Sequence, residues 1–172
     1  PQRVVAVVAT LLAQPTWVTF ALVPADGGAA GIASYTRIDE ATGQVEVAGI
    51  LLARSLQRTR PATEALHLMI RHAFDDLGYR RVEWKCDALN EPSRQAAARL
   101  GFAYEGRFRN HMVVRGRSRD TDWFSITDAE WPALRAAHER WLGPDTFDDD
   151  GRQRLSLRDL TAPLRHDVVA PA

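Results

Sequence analysis

The sequence is poor in cysteine and lysine and has no long apolar run. Cys86 is the single cysteine, and Lys85 is the single lysine among 22 basic residues. One cysteine excludes an intrachain disulfide and is typical of a reducing compartment, so we expect a cytoplasmic protein. Apolar runs stay short of the roughly 18 residues of a membrane span, and no secretory cleavage pattern follows the apolar opening. We therefore expect no membrane partner.

Two further absences bear on the kind of protein. The sequence does not begin with Met, so we expect it to start inside a longer chain. Its five histidines form no metal-ligand spacing with the cysteine, and we expect no bound metal. These histidines are His67, His72, His111, His138 and His166.

Charge is distributed unevenly along the chain. The formal net charge is zero, but residues 51–120 carry fourteen Lys and Arg against eight Asp and Glu. The remainder carries the reverse, eight against fourteen. The middle of the chain is therefore where an anionic ligand would be attracted. The alternative is a solvated basic face that is balanced by acidic neighbours.

The composition, 45% apolar and 26% charged, indicates a globular chain with a sizeable core. Apolar spacing predicts a helix over residues 3–13. Three strands separated by turn sequences follow, and together they indicate an antiparallel meander. These strands are predicted over residues 17–23, 30–38 and 44–52.

The second half alternates helices and strands. A helix runs from Pro61 to Gly78, and a strand over residues 81–86 completes a strand–helix–strand unit. The later elements are a helix from Asn90 to Gly101, strands over residues 102–114 and 121–126 around a turn, and a helix over residues 127–143 with capping-box spacing between Thr127 and Glu130. Periodicity then ends, so we expect a domain over residues 1–143 and a tail or arm over residues 144–172.

The junction between the third strand and the helix at Pro61 has an unusual composition. Its sequence, "QRTRP", places Arg58, Thr59 and Arg60 where Gly, Asn or Asp is more typical of a turn. A helix N-terminus offers free N–H groups and partial positive charge, which suit a phosphate. Pro61 is compatible with the first helical turn. The junction therefore indicates either a phosphate site or a plain surface turn.

This order of elements resembles the GNAT acetyltransferase superfamily. The family's phosphate loop has the pattern Q/R-x-x-G-x-G/A, and this sequence aligns with Gln57, Arg60 and Ala62 at the marked positions. Arg60 replaces the central glycine. The resemblance covers about residues 1–127, and the family's usual first strand and helix are not found at the N-terminus.

A second segment, "EWKCDALNEPSRQAAARLGFAYEG", resembles the RimJ/RimL-like branch, which acetylates ribosomal-protein amino termini. That branch combines K-C, N-x-x-S, a GF ending and E-G. The matching residues here are Lys85, Cys86, Asn90, Ser93, Gly101, Phe102, Glu105 and Gly106.

The resemblance implies an α/β (α+β) fold of the GNAT type. Its mixed, mostly antiparallel central sheet would be flanked by helices and splayed at the cofactor site. It also implies an N-acetyltransferase that takes an acetyl group from acetyl-CoA and gives it to a primary amine by direct attack in a ternary complex. The residues expected to bind the cofactor are Leu51, Leu52, Gln57, Arg58, Thr59, Arg60, Ala62, Thr63, Asn90 and Ser93.

Catalysis requires a proton donor for the leaving thiol and an acceptor for the amine proton. The family's Ser in N-x-x-S implies that Ser93 is the donor, because the Tyr that many relatives use corresponds here to Ala97. The alternative for Ser93 is helix capping. The glutamate of the closest branch corresponds to Met112, so the candidate bases are its neighbour His111 and Glu46 on the third strand. Water alone is a further alternative.

Trp84 and Cys86 share one face of their strand, and Glu83 lies on the other. Trp84 belongs either to the core or to the wall of the acceptor pocket. The candidate residues for substrate contact are Trp84 and Glu83. The acceptor itself stays open among peptide amino termini and small-molecule amines, and we expect a monomer or homodimer.

Two other functions compete with the enzyme. The segment "RFRNHMVVRGRSR" holds five arginines in thirteen residues, as an Arg-rich nucleic-acid-binding module would. The enzyme ranks above this because the global charge is neutral and the segment has strand-like alternation. A degenerate, CoA-binding regulatory module is the third possibility.

Overall fold

A computed structural model describes residues 2–25 and 27–167, in two compact units, Pro1–Tyr79 and Arg80–Ala172. The helices of the described chain are α1 (Gln2–Leu12), α2 (Arg60–Arg71), α3 (Glu91–Arg99), α4 (Trp131–Trp141) and α5 (Leu157–Thr161). The strands are β1 (Val18–Leu22), β2 (Gly31–Asp39), β3 (Gln44–Leu52), β4 (Arg81–Asp87), β5 (Ala103–Val114) and β6 (Arg117–Thr127). The mixture of helices with antiparallel strand pairs confirms the predicted α/β class.

The first unit contains the predicted antiparallel meander of β1, β2 and β3. Its regular pairing is interrupted near the end of β3, where Gly49 and Ile50 lie opposite the single residue Ala33. Gly49 has φ +60°, and a Cβ there would come within 3.0 Å of the Trp17 ring. Such a bulge bends a strand and redirects its following residues. Pairing resumes after the bulge, with Leu51 opposite Ile32 and Leu52 opposite Gly31, so the end of β3 is bent but stays in the sheet.

Helix α2 packs on this meander through a buried tyrosine. The Tyr35 hydroxyl, from β2, donates to the Met69 carbonyl, and the Tyr35 ring stacks on His72 with centroids 6.4 Å apart. Burial raises the pKa of Tyr35, so the hydroxyl stays a donor. The predicted stop at Gly78 is confirmed, since a π-turn over His72–Asp76 continues the helix and Gly78 has φ +67°.

In the second unit β6 lies between β4 and β5, and both pairs are antiparallel. The predicted turn over residues 115–120 is wrong in its length, because β6 already begins at Arg117. Val114 pairs with Arg117, which leaves a two-residue hairpin of Arg115 and Gly116. Both have positive φ, 51° and 76°, as the tight hairpin turn with right-handed strand twist requires.

The start of α4 also differs from the expectation. The Glu130 carboxylate accepts from the Thr127 backbone N–H and hydroxyl, each at 2.8 Å, as in a capping box. Thr127 nevertheless remains paired with Arg81 in the sheet, so it does not open the helix. The chain turns first, and α4 begins at Trp131.

The described residues after α4 pack against their own unit. The Trp141 indole donates to the Leu155 carbonyl at 3.0 Å, and Leu157 is fully buried. The Thr161 hydroxyl donates to the Arg99 carbonyl at the end of α3, at 3.1 Å. Residues 144–164 therefore support α3 and α4, while a domain boundary at residue 143 stays a prediction.

The end of α3 requires glycine for two reasons. Gly101 has φ +91°, and a Cβ at this position would lie 2.4 Å from Leu134 Cδ2. Leu134 is fully buried on α4, so it has little room to move. Gly116 also has a positive φ, but nothing lies within 4 Å of its Cβ position.

We expect Gly101→Ala to lower the free energy of unfolding by about 3 kcal/mol, from left-handed strain together with overpacking. Gly116→Ala carries the strain alone and should cost about 1 kcal/mol. Urea denaturation of both variants measures the difference. Equal losses would show that contact with Leu134 is unimportant.

A polar network joins β4, β5 and β6. Arg81 donates from Nε to Glu83 at 2.9 Å and from Nη1 to Glu105 at 2.7 Å. The Ser125 hydroxyl donates to the same Glu105 oxygen at 2.7 Å. The hydrogen bond from Arg81 is the main reason that the pKa of Glu105 lies below its usual 4.5.

A lowered folded-state pKa means that Glu105 contributes stability above about pH 4.5, and that this contribution is lost as pH falls further. We expect Glu105→Gln to reduce stability at pH 7 and to flatten its decline between about pH 4.5 and 3. Denaturant midpoints across this range measure the effect. The control, Glu139→Gln in the exposed pair with Arg135, should leave the decline unchanged. An equally steep decline in Glu105→Gln would contradict the role of Glu105.

Candidate functional site

Residues 53–60, here called the basic junction, are held by side-chain hydrogen bonds. The Thr59 hydroxyl donates to the Leu56 carbonyl at 2.7 Å and accepts from the Ala62 N–H at 3.3 Å, which caps α2. Gln57 donates from Nε2 to the Leu52 carbonyl at 3.0 Å. The backbone between β3 and α2 is therefore fixed locally by Gln57 and Thr59, two of the residues expected to bind the cofactor.

The outer surface of the basic junction is positive. Arg54, Arg58 and Arg60 are exposed, and the first turn of α2 contains no acidic residue. Within residues 2–25 and 27–167, neither Arg54 nor Arg58 pairs with a carboxylate. The N-terminus of α2 adds partial positive charge. The arrangement can bind a phosphate or diphosphate through exposed guanidinium groups.

The replacement of the family's central glycine has a structural explanation. Arg60 is the first residue of α2, so this position uses ordinary helical geometry. The left-handed residue is instead Arg58, with φ +60°. An arginine at position 60 therefore needs no glycine-like backbone, and a left-handed Arg58 costs on the order of 1 kcal/mol.

The other residues expected to bind the cofactor differ in exposure. Leu51 and Leu52, at the end of β3, are partly exposed. Ala62 and Thr63 are buried, and the Thr63 hydroxyl donates to the Thr59 carbonyl at 3.3 Å. Their side chains support the helix start, and contact with a ligand stays a prediction for all four.

Glu46 is a buried carboxylate in the middle of β3. Its side chain is among the buried polar groups, 3% exposed, and Oε2 accepts from the Thr36 hydroxyl at 3.2 Å. Buried carboxylates are often tuned for proton transfer. Glu46 therefore remains a candidate base, at a strand position that is buried rather than solvent-facing.

The Ser93 side chain does not cap α3, which was the alternative to a catalytic role. Asn90 caps α3, accepting from the Ser93 backbone N–H through Oδ1 at 3.3 Å. The Ser93 hydroxyl instead accepts from the Trp84 indole N–H at 3.0 Å. Trp84 is 5% exposed and packs on Phe102, with ring centroids 5.6 Å apart. The structure thus brings Trp84, Asn90 and Ser93 together, while Trp84 as a wall of the acceptor pocket stays a prediction.

Cys86 lies beside the same hydroxyl. Burial raises the pKa of its thiol, and a hydrogen bond with Ser93 acts in the opposite direction. A raised pKa leaves little thiolate at neutral pH, which argues against a nucleophilic role.

Asp122, which the sequence analysis did not single out, holds this cluster in place. Its side chain is fully buried, opposite Cys86 on the neighbouring strand. Arg107 donates to both carboxylate oxygens, at 2.6 and 3.0 Å, which is the main reason that the pKa of Arg107 is raised. Arg94 Nε lies 3.0 Å from Oδ2 as an ion pair, without the alignment of a hydrogen bond. No sequence signal distinguishes Asp122 from Asp120, which lies two residues earlier in the same polar half of β6.

His111 and Glu83 have other partners. His111 is exposed, its Nδ1 lies 3.0 Å from the Thr121 hydroxyl, and its ring contacts Phe108. Within the described part of this unit, it makes no hydrogen bond to Ser93. Glu83 is buried and accepts from Arg81. A base role for His111 and a substrate role for Glu83 stay predictions.

Residues 107–119, here called the basic hairpin, project exposed side chains of two kinds. Within the described chain Arg109, Arg115 and Arg117 pair with no carboxylate, whereas Arg107 pairs with Asp122. The exposed apolar residues are Phe108, Met112, Val113 and Val114. This surface combines positive charge with apolar contact area.

No helix among the described residues has both the length and the apolar character needed to cross a bilayer.

Residues 3–103 match the family described as the acetyltransferase (GNAT) domain, and this range is more than half of the chain.

A curated relative that is named as an N-acetyltransferase supports this match. The chain is 30% identical over 106 residues to YdaF of Bacillus subtilis (strain 168), which is provisionally named a ribosomal N-acetyltransferase. That alignment covers 62% of this chain and 57% of the relative, so the chain spans little more than half the length of this curated relative.

Solved structures give the same family. A GCN5-related N-acetyltransferase from Brucella melitensis superposes with a TM-score of 0.86 and 44% identity, over 90% of this chain and 70% of that one. A GNAT-family structure from Chromobacterium violaceum gives 0.70 and 41%, over 75% and 65%. The family expected from the sequence is confirmed, and members of this family take their acetyl group from acetyl-CoA. The chain belongs to the GNAT acetyltransferase family.

Proposed function

We propose that this chain binds acetyl-CoA and transfers its acetyl group to a primary amine by direct attack in a ternary complex. Family membership supports acetyl transfer in general. The observation that carries the proposal is the basic junction, where exposed arginines surround a capped helix N-terminus in the family's phosphate-binding segment.

The chemistry of the basic junction fits the diphosphate of the cofactor. Arginine donors match phosphate oxygens in geometry, and a helix N-terminus favours an anion. Arg58 and Arg60 would hold the diphosphate, and the redirected end of β3, with Leu51 and Leu52, would contact the neighbouring pantetheine arm. Acetyl-CoA supplies the activated acetyl group, and the chain supplies binding, orientation and proton transfer.

The amine requires a proton acceptor, because an ammonium ion has no lone pair for attack. Glu46 is a buried carboxylate, while His111 offers an exposed imidazole that can accept a proton. Ser93 would donate to the departing sulfur, since its hydroxyl is not used as the helix cap. The acceptor class is a peptide amino terminus or a small-molecule amine, and the name of the B. subtilis relative favours the peptide.

A second function is supported by the basic hairpin. Arg109, Arg115 and Arg117, which pair with no carboxylate of the described residues, and exposed Phe108 are features of surfaces that bind nucleic acid. A chain that bound an oligonucleotide but neither bound acetyl-CoA nor released thiol would support this alternative. Binding of acetyl-CoA without thiol release would support a regulatory module.

Charge reversal at Arg58 tests the cofactor site. We expect Arg58→Glu to raise the dissociation constant for acetyl-CoA at least about tenfold, because a charged hydrogen bond is replaced by repulsion. Calorimetry measures the constant, and acetyl-pantetheine, which lacks the diphosphate, should bind both proteins equally.

The matched control is Arg115→Glu. Arg115 is also an exposed arginine with positive φ, 51°, so the two variants carry the same backbone strain and charge change. Affinity for acetyl-CoA should be unchanged in this control. Equal affinities in Arg58→Glu and the wild type would remove the basic junction from the site.

The candidate bases can be separated by pH dependence. Loss of a general base typically lowers turnover by about 10²-fold or more. We therefore expect one of Glu46→Gln and His111→Asn to show this loss, together with loss of the acid limb of kcat/KM. The profile is measured from pH 5 to 9 by thiol release. Full activity in both variants would assign deprotonation to water.

A further inference from the structure

The hydrogen bond between Trp84 and Ser93 has a defined direction. An indole N–H is a donor only, whereas a hydroxyl has one proton and two acceptor lone pairs. With Trp84 Nε1 at 3.0 Å, the serine oxygen is the acceptor in this contact. The proton of Ser93 therefore points away from Trp84.

We propose that Trp84 is a positioning residue: its indole N–H occupies the acceptor side of the Ser93 hydroxyl and turns the hydroxyl proton toward the leaving sulfur. This inference rests on the proposed acetyl transfer. It differs from the expectation that Trp84 walls the acceptor pocket, because the contact is with a catalytic group rather than with substrate.

The surroundings make both partners rigid. Trp84 is buried in β4, pairs with Phe124 on β6 and packs its ring on Phe102. Ser93 lies in the first turn of α3, and the ion pair between the next residue, Arg94, and buried Asp122 fixes that turn. An orienting hydrogen bond is effective only when both of its ends are held in this way.

Cys86 lies on the other side of this hydroxyl. Burial raises the pKa of its thiol, and a hydrogen bond with Ser93 lowers it. A hydrogen bond lowers a thiol pKa when the hydroxyl is the donor and the sulfur the acceptor. The Ser93 proton, which points away from Trp84, is therefore available to a sulfur acceptor, and a departing thiolate is a stronger acceptor than the neutral thiol of Cys86.

The proton balance of the transfer explains why this matters. The amine nitrogen forms a bond to the acetyl carbon, and the carbon–sulfur bond breaks with its electron pair going to sulfur. Ser93 gives its proton to that sulfur, and the proton released by the amine nitrogen, relayed by the base or water, restores the hydroxyl. If the hydroxyl proton pointed elsewhere, the sulfur would have to leave without a proton, as a thiolate. This is less favourable at neutral pH, because thiols titrate at about pH 8.5.

The test is a double-mutant cycle with Trp84→Phe, Ser93→Ala and the double variant. Phenylalanine keeps a ring on Phe102 and removes the N–H. We expect Trp84→Phe to lower kcat about tenfold, the lower end of the effect of orienting partners, with KM for acetyl-CoA within about twofold. Ser93→Ala should lower kcat about 10²-fold, and adding Trp84→Phe should lower it no further. The matched control, Trp141→Phe, loses an indole hydrogen bond to Leu155 in the same unit and should keep the wild-type kcat.

Indole N–H resonances in NMR spectra provide a readout that does not need activity. The resonance assigned by its loss in Trp84→Phe should shift and exchange faster in Ser93→Ala, while the Trp141 resonance stays in place. Multiplicative effects on kcat in the cycle, or an unmoved Trp84 resonance, would overturn the inference alone. A wild-type chain that releases no thiol with any amine would overturn the proposed function and this inference with it.

Discussion

The second unit depends on the pairing of one buried carboxylate. Asp122 is fully buried on the middle strand, and arginines from α3 and β5 neutralise it. A buried charge that loses its partner typically destabilises a protein by about 3–5 kcal/mol. The pairing therefore fixes α3 against the sheet and, through Arg94, sets the position of the neighbouring Ser93. The geometry of the candidate donor is a consequence of an ion pair that takes no part in its chemistry.

Much of the fold could be predicted from sequence because its signals are local. Strand segments separated by turn sequences predicted the meander, and helical spacing that stops at Gly101 and Gly78 predicted the ends of α3 and of the helix that follows Pro61; both glycines have positive φ. The two misplaced starts, β6 and α4, depend on pairing between strands. Arg117 belongs to β6 because Val114 is opposite, and Thr127 stays in the sheet because Arg81 is opposite. Single-sequence patterns do not report such partners.

The candidate site divides in the same way. Motif spacing identified Asn90, Ser93 and the basic junction as candidate site residues, because the chemistry of each side chain can be inferred without knowing its neighbours. It could not decide between capping and catalysis for Ser93, since that depends on which side chain bonds the free N–H of α3. The structure gives the cap to Asn90 and places the Trp84 indole on the hydroxyl. Likewise, only the backbone shows that the left-handed residue is Arg58 rather than Arg60.

The basic hairpin has a consequence for the behaviour of the chain in solution. Within the described residues β5 pairs with β6 alone, so its other side is a sheet edge that can recruit a strand from another molecule. Near Tyr104 that edge is covered by Asp167, whose carboxylate accepts the Tyr104 N–H at 2.8 Å. Farther along, Arg109 and the turn arginines place like charges on any two hairpins that approach each other. Mutual repulsion of these guanidinium groups opposes edge-to-edge pairing of β5 strands from two molecules. The repulsion weakens wherever salt or a polyanion screens the guanidinium charges.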